Sequence, residues 1–113
     1  EAKKQKAIAE NATSPNSPFN PNYYKNKIGA ALITKAQAQA YAEQIYDAIG
    51  WLTDDESSIY AVFRQLKAKT QVSWLAANFY QMYGEDLYNF LADSLDDSEL
   101  TIINQIVGAM AEK

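Results

Sequence analysis

Eight acidic side chains fall into two groups that could do chemistry. Asp54, Asp55 and Glu56 follow Thr53 directly, and Asp86, Asp93, Asp96, Asp97 and Glu99 crowd the C-terminal third. Two facing carboxylates can hydrolyse a glycosidic bond when one is buried and its pKa is driven up. Several carboxylate and carbonyl oxygens together can hold calcium, which takes six to eight of them. Both groups also lie where helices should start, and there negative charge complements the helix dipole without any further role. With no cysteine and no histidine in the chain, thiol catalysis, Ser-His triads and ordinary zinc sites are excluded. The expectation is that the chain is not an enzyme. A carboxylate hydrolase is the remote alternative.

The elements that would position these residues are helices. Apolar residues at helical spacing predict five, over about residues 35–48, 54–67, 71–83, 85–93 and 98–111. Thr34 with Gln37, and Thr53 with Glu56, have capping-box spacing, and Thr70 and Asp97 are further predicted caps. Gly50 and Gly84 are predicted stops. Met82 should join Val72, Leu75 and Phe79 on an inward stripe, while Tyr60 and Tyr88 should lie outward. No strand signal competes. Residues 1–33 are expected to form a flexible or extended N-terminal arm, opening with a short helix over residues 1–10. Three prolines and several asparagines lie between Asn11 and Lys25, where they favour turns, and Phe19, Tyr23 and Tyr24 are placed to tack the arm down. Asn11-Ala12-Thr13 has the form of a glycosylation acceptor. Residues 34–113 should be the compact domain.

The run Ala42-Glu43-Gln44-Ile45-Tyr46-Asp47-Ala48-Ile49-Gly50 resembles the first helix of an annexin repeat. Thr53-Asp54-Asp55-Glu56 is similar to the start of the second, and Tyr83-Gly84-Glu85-Asp86-Leu87-Tyr88-Asn89-Phe90-Leu91 to the approach to the fourth. Ile103-Asn104-Gln105-Ile106-Val107-Gly108-Ala109-Met110 is similar to the closing helix. The likeness covers about residues 37–110, a single divergent repeat. It implies an all-α, compact five-helix annexin-like fold, and for the family it implies calcium-dependent docking on acidic phospholipid. The family's Gly-x-Gly-Thr loop matches at Gly50 and Thr53 but has Leu52 in place of its second glycine, and the distant carboxylate falls on Ser94 rather than on Asp93. The calcium loop is therefore degenerate. Candidate ligands for a low-affinity ion are Gly50, Thr53, Asp54, Asp55, Glu56, Asp93 and Asp96. No other cofactor is expected.

Trp51 and Leu52 sit in the corner between the first two helices, either as an outward apolar tip or folded back as a lid. Trp74 lies one position off its helix's main stripe, where it either widens the core or meets another domain. These three are the candidate interaction residues. Charge is uneven: residues 1–35 carry six lysines against two acids, and residues 36–113 carry twelve acids against four bases. An acidic domain repels phosphate backbones, so no nucleic-acid partner is expected, and a membrane is disfavoured without an intact calcium site. No apolar run approaches the ~18–20 residues of a membrane span. The start at Glu1 fits a processed, secreted or extracellular-assembly protein as well as a fragment, and leaves compartment open. The expected function is a non-enzymatic protein-interaction or scaffold module in a larger protein or assembly, with a protein partner or self-association.

Overall fold

A computed structural model describes residues 14–49 and 55–113. The proposed helix over residues 1–10, the Asn11-Ala12-Thr13 triplet, and Gly50, Trp51, Leu52, Thr53 and Asp54 lie outside the described residues. Five α-helices follow one 3-10 turn at Tyr23–Asn26: α1 Lys35–Ile49, α2 Glu56–Gln65, α3 Lys69–Tyr83, α4 Leu87–Ser94 and α5 Asp97–Gly108. The fold is all-α and compact. Among the described residues, the extended pairing is confined to a single parallel bridge between Ala68 and Ala111.

Local chemistry sets the helix ends, and three of them differ from the sequence expectation. Thr34 Oγ1 accepts from the Gln37 N–H at 3.1 Å, as its spacing predicts. The cap of α2 is Asp55 rather than Thr53, and Glu56 is the first helical residue instead of the third of a capping box. Asp55 prevails because Ser57 and Ser58 both donate hydroxyls to its carboxylate at 2.7 Å, while the Ser58 N–H reaches it at 3.3 Å. Thr70 does not cap α3 but lies inside its first turn, fully buried. The start of that helix is held instead by tertiary bonds: the Lys69 N–H donates to the Ala111 carbonyl at 2.8 Å, and the Lys67 N–H donates to Gln71 Oε1 at 2.8 Å. The cap of α5 is Asp96 rather than Asp97. Asp96 and Glu99 form a reciprocal capping box, with bonds of 2.8 and 2.9 Å. Gly84 ends α3 as expected, at φ 69°, a left-handed conformation that glycine adopts without steric cost.

The core gathers Ile45 of α1, Ile59, Val62 and Phe63 of α2, Val72, Leu75 and Phe79 of α3, Leu87 and Leu91 of α4, and Ile103 and Val107 of α5. Met82, expected on the inward stripe, is exposed. Tyr88 corrects the opposite way: expected outward, it is 1% exposed. Its hydroxyl stays satisfied by accepting from Asn104 Nδ2 at 3.0 Å, which removes the penalty of burying a polar tip.

The arm contributes to this interior. Phe19 is 1% exposed and packs on Tyr88 at 4.8 Å and Phe63 at 6.1 Å between ring centroids. Burying one such ring stabilises the fold by roughly 1.5–3 kcal/mol relative to leaving it in water. Tight turns deliver the ring: the Phe19 N–H donates to Ser17 Oγ, and the Asn20 side chain donates to the Ser14 carbonyl.

Candidate binding groove

The acidic positions are largely occupied with structural work. Asp55 is tied up as a cap, and the two serine hydroxyls, Ser58 first, hold its carboxyl below the ordinary carboxylate range. Asp86 caps α4 by accepting from the Asn89 N–H at 2.9 Å, and burial pushes its pKa up against that bond. Glu56 and Glu99 face each other across the starts of α2 and α5. The Asp96 N–H lowers the Glu99 pKa, but the Glu56 side chain, burial and the Asp96 charge together carry it above the ordinary value. Asp93 is exposed near the end of α4. Among the described residues, no group of three or more acidic side chains is arranged to hold a metal ion. The remaining candidate ligands, Gly50, Thr53 and Asp54, lie outside the described residues.

Trp74 links two parts of the molecule. Its indole N–H donates to the Ile33 carbonyl at 3.0 Å, and its ring meets Tyr24 edge-on at 5.2 Å. It is one of three adjacent grips by which α3 holds the arm. Ser73 donates to the Asn20 carbonyl at 2.7 Å and accepts from the Tyr24 N–H at 3.0 Å. Gln71 Nε2 donates to the Ala31 carbonyl at 2.8 Å. These bonds satisfy backbone groups that the arm, regular only in its turn at Tyr23–Asn26, cannot satisfy itself.

Where the arm crosses α3 it leaves a groove of about 350 Å³. Tyr24, Trp74 and Tyr80 give it aromatic walls, Asn22, Asn78 and Gln81 give it amides, and Lys25 and Lys35 are its charged lining residues. Tyr80 is 56% exposed. Asn78 lies at the opposite extreme: it is 2% exposed, its Nδ2 donates to the Trp74 carbonyl at 2.9 Å, and its Oδ1 is buried without a partner. An apolar-walled concavity with a few polar groups is the usual form of a ligand site.

A second pocket of about 210 Å³ lies where the arm meets the C-terminal tail. The Tyr23 hydroxyl donates to Glu112 at 2.7 Å, Lys69 donates to the same carboxylate at 3.3 Å, and Lys27 stands 3.9 Å away. Burial, helped by Glu112, pushes the Tyr23 pKa up to about 12. The Tyr23 hydroxyl first, then Lys69, hold the Glu112 carboxyl below its ordinary value. This network is a latch between the two ends of the described fold. Elsewhere Tyr46 stacks between Tyr83, at 3.9 Å and 4° from parallel, and Phe90, at 5.4 Å, on the flank of the core.

Of the sequence-derived interaction residues, Trp74 is part of the groove, and Trp51 and Leu52 lie outside the described residues. Lys25, Lys35, Asn78, Tyr80 and Gln81 were missed. One signal for them was present: Gln71, Trp74, Asn78 and Gln81 recur at helical spacing as a polar and aromatic stripe beside the apolar one. Comparison with known proteins gives no match: no family model, no curated protein and no solved structure matches this chain.

Proposed function

We propose that this chain is a non-enzymatic interaction module, a divergent annexin-like repeat carried within a larger protein or assembly, and that the groove beside the arm is its contact surface. The annexin-like part of the reading is supported by the order of the five helices, by Gly84 closing α3 in a left-handed conformation, and by the Asp86 cap that follows it. The observation that carries the functional part is the groove itself. Exposed Tyr80 and half-buried Trp74 and Tyr24 stand together beside two lysines, the kind of aromatic cluster that dominates binding energy at protein interfaces.

A photo-crosslinking phenylalanine analogue tests this reading when placed at Tyr80 in the intact parent assembly, with Asp97, outside the groove, as the control position. The expected outcome is a discrete protein adduct from position 80 that is absent from position 97. Equal labelling from both positions, or none from position 80, counts against the module. Calcium titration of the same protein addresses the membrane reading, because calcium-dependent sedimentation with phosphatidylserine vesicles would replace a protein partner with a lipid one.

A further inference from the structure

The geometry points to an extended, acidic peptide segment of a partner protein as the occupant of the groove, an assignment that rests on the interaction-module reading above. The arm shows how α3 recognises such a chain. Alternate carbonyls, those of Ala31 and Ile33, accept from Gln71 and Trp74, one turn apart on the helix. Alternate groups turned to one side are the mark of an extended backbone. The helix face that makes these bonds continues through Asn78 and Gln81, at the next two positions of the same 3-4-3 spacing. Beyond Ile33 the arm turns into α1 at Lys35 and no longer covers that face. Here α3 keeps an exposed amide at Gln81 and a buried, unpartnered carbonyl oxygen at Asn78. A second extended chain supplies a carbonyl for the exposed Gln81 amide, while Asn78, buried beneath, forms part of the groove floor.

Charge selects the kind of chain. In a protein of formal charge -4, both charged side chains lining the groove are lysines, Lys25 and Lys35. Carboxylates on the incoming segment meet them directly, and Tyr24, Trp74 and Tyr80 receive its apolar side chains. Aromatic-lined grooves with spaced polar groups are a recurring way to hold extended, proline-containing peptides. The surrounding acidity disfavours a long polyanion, whose charges would run past the two lysines into repulsion. The chain's own residues 1–13 are a poor occupant, with three lysines against two glutamates.

The test uses the full chain and fluorescence anisotropy with three labelled decapeptides: alternating proline and glutamate, alternating proline and glutamine, and alternating proline and lysine. The glutamate peptide should bind at least about tenfold more tightly than the glutamine peptide and lose that advantage as salt rises. Lys25→Glu with Lys35→Glu should reverse the preference toward the lysine peptide. Both lysines are exposed, and glutamate at position 35 suits a helix start, so the fold should persist, as checked by circular dichroism. Gln81→Ala should weaken the glutamate peptide severalfold without changing the charge preference.

The assignment is overturned if the glutamate peptide has no advantage, or if charge reversal leaves binding unchanged. It is equally overturned if an oligogalacturonate binds and the peptides do not, or if light scattering shows a dimer that the charge reversal dissolves. An adduct from position 80 with no peptide preference removes the acidic-peptide class and leaves the module reading in place. Loss of that adduct removes both.

Discussion

The two halves of the polar stripe on α3 each carry a side-chain amide and end differently. Gln71 and Trp74 are engaged by the arm through carbonyl acceptors at 2.8 and 3.0 Å. Asn78 and Gln81 continue the stripe onto an open groove, one with an orphaned oxygen and the other exposed. Both halves lie on one face of the same helix. The path of the chain over them sets them apart: residues 31–33 run beside the first half and then turn away. A buried hydrogen-bonding group left without a partner costs about 1–3 kcal/mol, so Asn78 tolerates a deficit that Gln71 does not carry, since its Oε1 accepts from the Lys67 N–H and its Nε2 donates to the arm. Structural and candidate functional surface are thus one feature, divided by whether the protein fills it itself.

The largest expected effect comes from removing the arm that creates the difference. Phe19→Ala empties a core position and should cost about 3–5 kcal/mol, read as a lowered urea midpoint. A loss below about 1 kcal/mol would mean that the arm decorates the domain rather than completing it. Next is Trp74→Phe, which keeps a ring but removes the donor to the Ile33 carbonyl. A cost of about 1–2 kcal/mol is expected, with faster amide exchange in residues 28–34 by mass spectrometry. Unchanged exchange there would show that the engaged half does not need its indole bond.

Thr70→Val has the opposite sign. The Thr70 hydroxyl is fully buried with no partner, so replacing it with a methyl should stabilise the fold by about 1 kcal/mol and leave peptide affinity unchanged. Destabilisation would reveal a partner for that hydroxyl. It would also weaken the parallel between Thr70 and Asn78 as buried polar atoms without partners.

The smallest effect is local and depends on pH. Glu112 has a depressed folded pKa, so the stability it contributes is present above its ordinary value of 4.5 and is lost as pH falls through that value and below it. Tyr23 has a raised one. Between its ordinary value of 10.0 and about 12 the unfolded chain loses the phenolic proton while the folded chain keeps it, so stability falls as pH rises through that window. The latch should therefore loosen at both extremes. In the difference absorbance titration between the parent and Tyr23→Phe, the Tyr23 signal should titrate near 12 and move downward in Glu112→Gln. A Tyr23 signal near 10 would dissolve the latch.

Much of the fold was legible because it depends on short-range periodicity. The stripes Ile59-Val62-Phe63 and Leu100-Ile103-Val107 specify helices wherever they are placed, and the left-handed Gly84 marks a stop that few other residues tolerate. Caps were legible in kind but misplaced. Asp55 and Asp96 capture the helix starts because their neighbours Ser57, Ser58 and Glu99 complete a bonding pattern. Thr70 lost its predicted role because the Ala111 carbonyl, distant in sequence, takes over the start of α3. Tyr88 looked like a surface residue until Asn104, on another helix, satisfied its hydroxyl.

By itself the sequence determined that this is a helical domain without thiol or imidazole chemistry, since residue types and local spacing suffice for that. Only the tertiary structure decided that Phe19 fills the core, that Lys25 and Lys35 line one groove, and that half of a polar helix stripe stays open. Those outcomes depend on where the arm passes over a helix some forty residues further along the chain, as at Ala31 and Gln71. Contacts across such a separation leave no periodic trace, because each is set by the packing of the whole rather than by the residues beside it.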